Sequence, residues 1–170
     1  MVIGLFFQLV QEILLKKQTW KEKIFSPNTK LPKIEKIRQN QQKLWGKGTI
    51  VIPHPRDVLK IMNNVKKGKL ITINIIRQKL AKKYKTTTCC PICAGIFSSI
   101  VAHYADELER KGIKKIPPYW RTLKEGGVLN EKFPGDTKNQ EIRLKQEGFT
   151  IDKKGKKYFV VDYEKDLVKV

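Results

Sequence analysis

The chain has 170 residues, 40% of them hydrophobic, enough for one domain with its own core plus appendages. Thirty-six Lys/Arg against sixteen Asp/Glu leave a formal charge of +20. Such an excess self-repels unless a polyanion is near, so nucleic acid leads the partner classes. The apolar start, MVIGLFFQLVQEILLKK, is interrupted by Gln8, Gln11 and Glu12. It is too short and polar to span a bilayer and lacks the basic leader and cleavage site of a signal peptide, so no membrane partner is expected.

In chain order, residues 1–16 read as an amphipathic N-terminal helix. Residues 17–47 form a basic arm in which Pro27 and Pro32 stop any long helix and Trp20, Phe25 and Trp45 offer rings to pin it to the body. IVIPHP at 50–55 is extended. Val58, Leu59, Met62 and Val65 mark a helix from near Asp57, and KKGK at 66–69 is its turn. Thr72 then caps a second helix running to about Tyr84. Pro91 opens a third, in which Ile92, Ile96, Ile100, Tyr104 and Leu108 recur every four residues before Gly112 ends it. A PPYWRTL strand, a KEGGV turn and a helix from Asp136 to Glu147 follow. FTIDKKGKKYFVVDY closes as two strands about a Lys-Gly turn. The expected fold class is mainly α with small β elements. It is a winged helix-turn-helix core over 48–150, with the N-terminal arm before it and a C-terminal β-hairpin extension over 151–170.

The charge is concentrated. From Lys30 to Lys85 sixteen Lys/Arg face only Glu35 and Asp57, which points to a binding face. Lys66, Lys67, Lys69, Arg77, Lys79, Lys82 and Lys83 are the expected phosphate contacts. The third helix carries small residues at Ala94, Gly95, Ser98, Ser99 and Ala102, which suit close approach either to a DNA groove or to another helix. Asp106, Glu107 and Glu109 would repel phosphate at its far end, so Ser98 and Ser99 near its positive N-terminal end are the candidate groove contacts.

Cys89, Cys90 and Cys93 lie within five residues, an odd cluster that argues against a disulfide framework and fits a reducing cytoplasm. Cys90 and Cys93 make a C-x-x-C without a second Cys/His pair, and His54 and His103 stand alone, so neither metal nor cofactor is expected. Cys90 follows Lys82, Lys83 and Lys85 and precedes a helix start, surroundings that favour a thiolate, which makes it the candidate nucleophile. The other reading is a small residue buried beneath that helix. His103, Asp106 and Glu107 read as a solvated helix face. Pro117 and Pro118 stiffen the chain before Tyr119 and Trp120, which suits either an aromatic platform for an extruded base or a strand with one ring in the core.

PYWRTLKEGGVLNEKFPG resembles the active-site loop and glycine-rich turn of the methylated-DNA–protein cysteine methyltransferases. That family's motif is Pro-Cys-His-Arg-Val, with a later helix ending in Glu-Gly. Pro118 and Arg121 match its proline and arginine, and Glu147 and Gly148 match the closing pair. The resemblance covers about 48–150. A divergent, methyltransferase-like branch carrying K-x-T-W-x-E-K, G-K-L-I-T, C-P, G-I-F and P-Y-W-R-T-L-K extends it to Lys17 and the last strands. Tyr119 stands at the alkyl-accepting cysteine and Trp120 at its activating histidine, and no arginine between Cys90 and Glu109 matches the family's arginine finger. A phenol of pKa about 10 without a base beside it is a poor acceptor. The alkyltransferase-like proteins, which hold a damaged guanine without the cysteine, offer the implied role: a cytoplasmic DNA-repair protein that binds damaged double-stranded DNA, with a repair protein as a further partner, and lines its base pocket with Tyr119, Trp120 and Arg121. The alternatives are a repair enzyme of the methyltransferase type using Cys90, and a plain winged-helix nucleic-acid-binding regulator.

Overall fold

A computed structural model describes residues 17–27 and 30–170, together with Gln8, Gln11 and Glu12. The helix expected over 1–16 lies almost wholly outside the described residues. Helix α1 (Trp20–Phe25) is started by a capping box in which Thr19 Oγ1 accepts the Glu22 N–H (3.2 Å) and the Glu22 carboxylate accepts the Thr19 N–H (2.8 Å). Strand β1 (Lys33–Lys36) leads through a 3-10 turn and the single-turn α2 (Gln42–Trp45) to β2 (Thr49–Ile52). β2 pairs antiparallel with β1, Ile34 opposite Val51, and parallel with β4 (Thr88–Cys89). The segment 17–47 is therefore built into the body, with Ile24, Leu31 and Ile37 buried in the main core.

Helix α3 (Pro55–Asn63) starts two residues before Asp57, because His54 Nδ1 accepts the Arg56 N–H (3.1 Å) and Pro55 needs no donor partner in a first turn. Strand β3 (Ile71–Thr72) runs directly into α4 (Ile73–Tyr84), where Thr72 Oγ1 accepts the Ile75 N–H (3.2 Å). Helix α5 (Pro91–Arg110) is the longest described element, with Pro91 in its first turn and Gly112 at positive φ just beyond its end.

PPYWRTL is not a continuous strand. With two prolines supplying no N–H, the chain coils into a 3-10 turn at Tyr119–Arg121, and only β5 (Thr122–Leu123) pairs, parallel with β3. Helix α6 (Asp136–Gln146) has Gly135 as its cap and Asp136 as its first residue. Strands β6 (Ile151–Lys154) and β7 (Lys157–Val160) form an antiparallel hairpin around Gly155.

The architecture is mainly α with small β elements. Its main core joins α3, α4 and α5 through side chains such as Val58, Met62, Ile76, Leu80, Phe97 and Ile100. A smaller core of Leu70, Leu123, Leu129, Leu144 and Val160 fastens α6 and the hairpin to the body, and Trp120 packs against both. Each such aliphatic or aromatic side chain contributes about 1.5–3 kcal/mol on burial.

Candidate nucleic-acid interface

The PYWR segment is structural. Tyr119 is 0% exposed. Its ring meets Trp120 (5.5 Å) and Phe133 (5.7 Å) edge-on, and its hydroxyl oxygen accepts from Asn139 Nδ2 (2.9 Å). Trp120 is half-buried, with Nε1 donating to Glu147 (2.8 Å) and the Arg143 guanidinium 4.8 Å from its ring. Arg121 donates from Nε (3.0 Å) and Nη2 (2.7 Å) to the same carboxylate and from Nη1 to the Val65 carbonyl. Tyr119 and Trp120 are tied to α6 and its end, and Arg121 joins that end to the α3–β3 turn. The expected base pocket of Tyr119, Trp120 and Arg121 is corrected accordingly: the phenol is sealed in the core and the guanidinium is fully engaged.

Burial pushes the Glu147 carboxyl up, yet the hydrogen bonds from Arg121 and Trp120 and the charge of Arg121 outweigh it and hold the group below the usual carboxylate range.

Cys90 is likewise sealed. Its Sγ is the helix cap of α5, accepting the Cys93 N–H (3.4 Å), and all three cysteines are 0% exposed. A hydrogen bond from the Cys93 thiol holds the Cys90 thiol below its ordinary value and pushes Cys93 up, and burial pushes Cys89 up to about 12. A sulfur with no open face has no route to an alkylated base, which corrects its candidacy as nucleophile. Ala94, Ser98 and Ala102 are also fully buried, and Ser98 Oγ donates to the Ala94 carbonyl (2.7 Å). This stripe serves helix packing, so Ser98 does not reach a DNA groove.

The opening lies elsewhere. A cleft of about 880 Å³ runs along the opposite face of α5, past Ile92, Gly95, Ile96, Ser99 and His103. These positions recur at helical spacing and so share one face. The facing wall is the loop after β5, with Lys124, Glu125, Asn130, Glu131 and Lys132, of which Lys124 and Glu131 pair (3.0 Å), and Ile73, Asn74 and Arg77 from the start of α4 also line the cleft. Trp20 closes part of the border, stacked on His103 at 4.6 Å with 17° between the planes. The Trp20 backbone N–H donates to the Glu107 carboxylate (3.1 Å).

Loop and helix are clasped by the Lys132 carbonyl, which accepts from Ser99 Oγ (3.0 Å) and lies 3.2 Å from His103 Nε2. Burial lowers the His103 pKa, and the Lys132 carbonyl and Asp106 oppose that shift without reversing it. The fully buried Gln140 fixes the loop from behind. Its Oε1 accepts the Asn130 N–H (2.8 Å), while its Nε2 donates to the carbonyls of Trp120 (3.0 Å) and Thr122 (2.9 Å). Gly127 is required there, because it takes positive φ and a Cβ would meet the Tyr163 ring at 2.5 Å.

Two amides give the cleft a polarity. Asn74 Oδ1 accepts from Arg77 (3.3 Å) and Asn130 Oδ1 accepts from the Lys132 N–H (3.0 Å). Each oxygen accepts one hydrogen bond, and each Nδ2 group can donate to an acceptor-bearing ligand. The apolar surface comes from Ile73, Ile92 and Ile96.

Of the expected phosphate and groove contacts, Arg77 and Ser99 line this cleft. Arg77 is largely engaged with the Cys89 carbonyl (2.9 Å) and Thr88 Oγ1 (3.1 Å). Lys83 pairs with Asp57, Lys69 with Asp166 (3.4 Å), and Lys79 donates to the Lys169 carbonyl (2.6 Å). Lys66, Lys67 and Lys82 are exposed. The 66–69 turn sits beside Glu147, whose carboxylate accepts the Gly68 N–H (3.4 Å). Trp20, Ile73, Asn74, Asn130 and Lys132 were not singled out as site residues from sequence, since nothing local marks them as neighbours.

The fold is alkyltransferase-like. The likeness is to the crystal structure of S. pombe Atl1 in complex with damaged DNA containing O6-carboxymethylguanine, with a TM-score of 0.50 and 16% identity over 68% of this chain and 94% of that one. No family model matches the chain, and no curated protein matches it in sequence.

Proposed function

We propose that this chain is an alkyltransferase-like DNA-binding protein that receives a damaged base, extruded from the duplex, in the cleft between α5 and the loop after β5, and does not transfer an alkyl group to itself. The observation that carries the reading is the cleft. It has the volume of a small-molecule site, an isoleucine-rich wall suited to a flat ring, and two amides able to donate. Those donors suit the acceptors on a guanine edge. The charge of +20 and a fold like that of Atl1, a protein solved with damaged DNA, support DNA as the partner. Extrusion costs a few kcal/mol and least for a damaged base, so a cleft that only holds the base already discriminates. The burial of all three thiols supports recognition without transfer, and thiols left free in this way suit a reducing cytoplasm.

The test is binding to matched duplexes with guanine or an O6-alkylguanine at one position. Tighter binding to the lesion duplex, abolished by Ile96→Trp or Asn130→Leu with affinity for plain duplex retained, supports the reading. Equal affinity for both duplexes overturns it.

The sealed ring of Tyr119 favours a second reading, a nucleic-acid binder on the same fold that extrudes no base. On that reading the cleft variants leave every affinity unchanged.

A further inference from the structure

The β6–β7 hairpin ends in Lys153-Lys154-Gly155-Lys156-Lys157, four lysines in five residues, all of them exposed. Lys154 and Lys157 stand directly opposite each other in the register. Like charges so placed destabilise a hairpin. Lys153 lies 5.2 Å from the Tyr158 ring, whereas Lys154, Lys156 and Lys157 have no side-chain ion pair among the described residues. An anion from outside would relieve the repulsion at such a tip.

Its position is set by the wall of the cleft. The Leu129 N–H donates to the Tyr158 carbonyl (2.9 Å), and Val128 bridges antiparallel to Phe159. The bridged Val128 stands two residues before Asn130, a cleft residue, and the bridged Phe159 two residues after Lys157. Val160 and Leu129, both buried in the smaller core, bind ribbon and wall into one unit. The lysine tip thus belongs to a ribbon fastened to the loop that supplies Asn130 to the cleft.

We infer that this tip is a second DNA contact, gripping backbone phosphates of the strand that flanks the base held in the cleft. It carries no aliphatic or aromatic side chain to insert into a lipid surface, which favours a nucleic-acid backbone over a membrane. The inference rests on DNA being the partner, but it stands independently of whether a base is extruded.

The test is the salt dependence of binding, measured by anisotropy with the full chain on plain and O6-alkylguanine duplexes. The variant is Lys154→Gln/Lys156→Gln/Lys157→Gln, whose exposed substitutions remove a like-charge pair and leave the cores intact. Removing one lysine from a phosphate lowers the slope of log affinity against log salt by about 1, so the slope falls by about 3, with equal weakening on both duplexes. An unchanged slope and affinity overturns the inference. So does a variant that keeps its DNA binding but loses binding to phosphatidylserine vesicles at the same ionic strength. If the wild-type chain binds both duplexes equally, base recognition fails, and a fall in slope still supports the tip. If the wild-type chain binds neither duplex, both fail.

Discussion

Arg121 and Glu147, twenty-six residues apart, form a nearly enclosed pair, with the side chains 12% and 8% exposed and the Trp120 indole N–H on the same carboxylate. Removing one partner leaves the other buried and uncompensated. Glu147→Ala is expected to lower stability by about 3–5 kcal/mol, read from urea unfolding at neutral pH. The folded carboxyl titrates below its ordinary value of 4.5. Its stabilisation is therefore complete above the ordinary carboxylate range and is lost as the pH falls through the folded value. Between those limits Glu147→Ala flattens the acid limb of the stability curve. An unaltered acid limb would show that the pair is not formed in solution.

Tyr119 separates core packing from base contact. Tyr119→Phe deletes the hydroxyl that accepts from Asn139, and about 1 kcal/mol of stability should go with it. Lesion preference should stay at the wild-type level. A loss of preference in a folded Tyr119→Phe protein would place the ring at the base after all.

Gly95 lines the cleft, and a Cβ there would meet nothing within 4 Å. In the middle of a helix, Gly95→Ala should raise stability by about 1 kcal/mol. Gly95→Leu reaches further into the opening and should weaken lesion binding. Stability and recognition are thus expected to move in opposite directions, which thermal unfolding and duplex titration of the two variants will read.

Gln140→Leu keeps the approximate volume of the side chain but leaves the Asn130 N–H and the carbonyls of Trp120 and Thr122 without it. A loss of at least about 2 kcal/mol follows from unpaired buried polar groups. Hydrogen exchange should rise first at the Asn130 amide. Protection there equal to wild type would mean that the loop is held by something else.

Burial lowers the His103 pKa, so the folded state prefers the neutral ring. This part of the stability is present above the unfolded value near 6.5 and is lost as the pH falls from there toward the folded one. Trp20→Ala removes the ring stacked on His103, and NMR titration should show the histidine moving back up toward its ordinary value.

The helix boundaries were largely legible, because capping is local chemistry. Thr72, Pro91 and Gly112 each act on backbone groups within a few residues. The isoleucines of α5 show where pattern reading stops. A strict four-residue repeat drifts by about 40° per step around a 3.6-residue helix, so its members differ in burial: Ile92 is 56% exposed and Ile100 1%, although both line the cleft with Ile96. Equal spacing marked all of them as one apolar row. Likewise the small residues of α5 suited a DNA groove and a helix neighbour equally well until burial settled the matter for Ala94, Ser98 and Ala102.

By itself the sequence determined the three central helices, the closing hairpin and the charge, since caps, turn residues and lysine density depend only on neighbours in the chain. Tertiary structure alone decided that Tyr119 is sealed, that Arg121 meets Glu147, and that Asn74 faces the same opening as Asn130. The physical reason is distance along the chain. A cleft is made where segments meet, and no local pattern of side chains records which distant segment will supply its other wall.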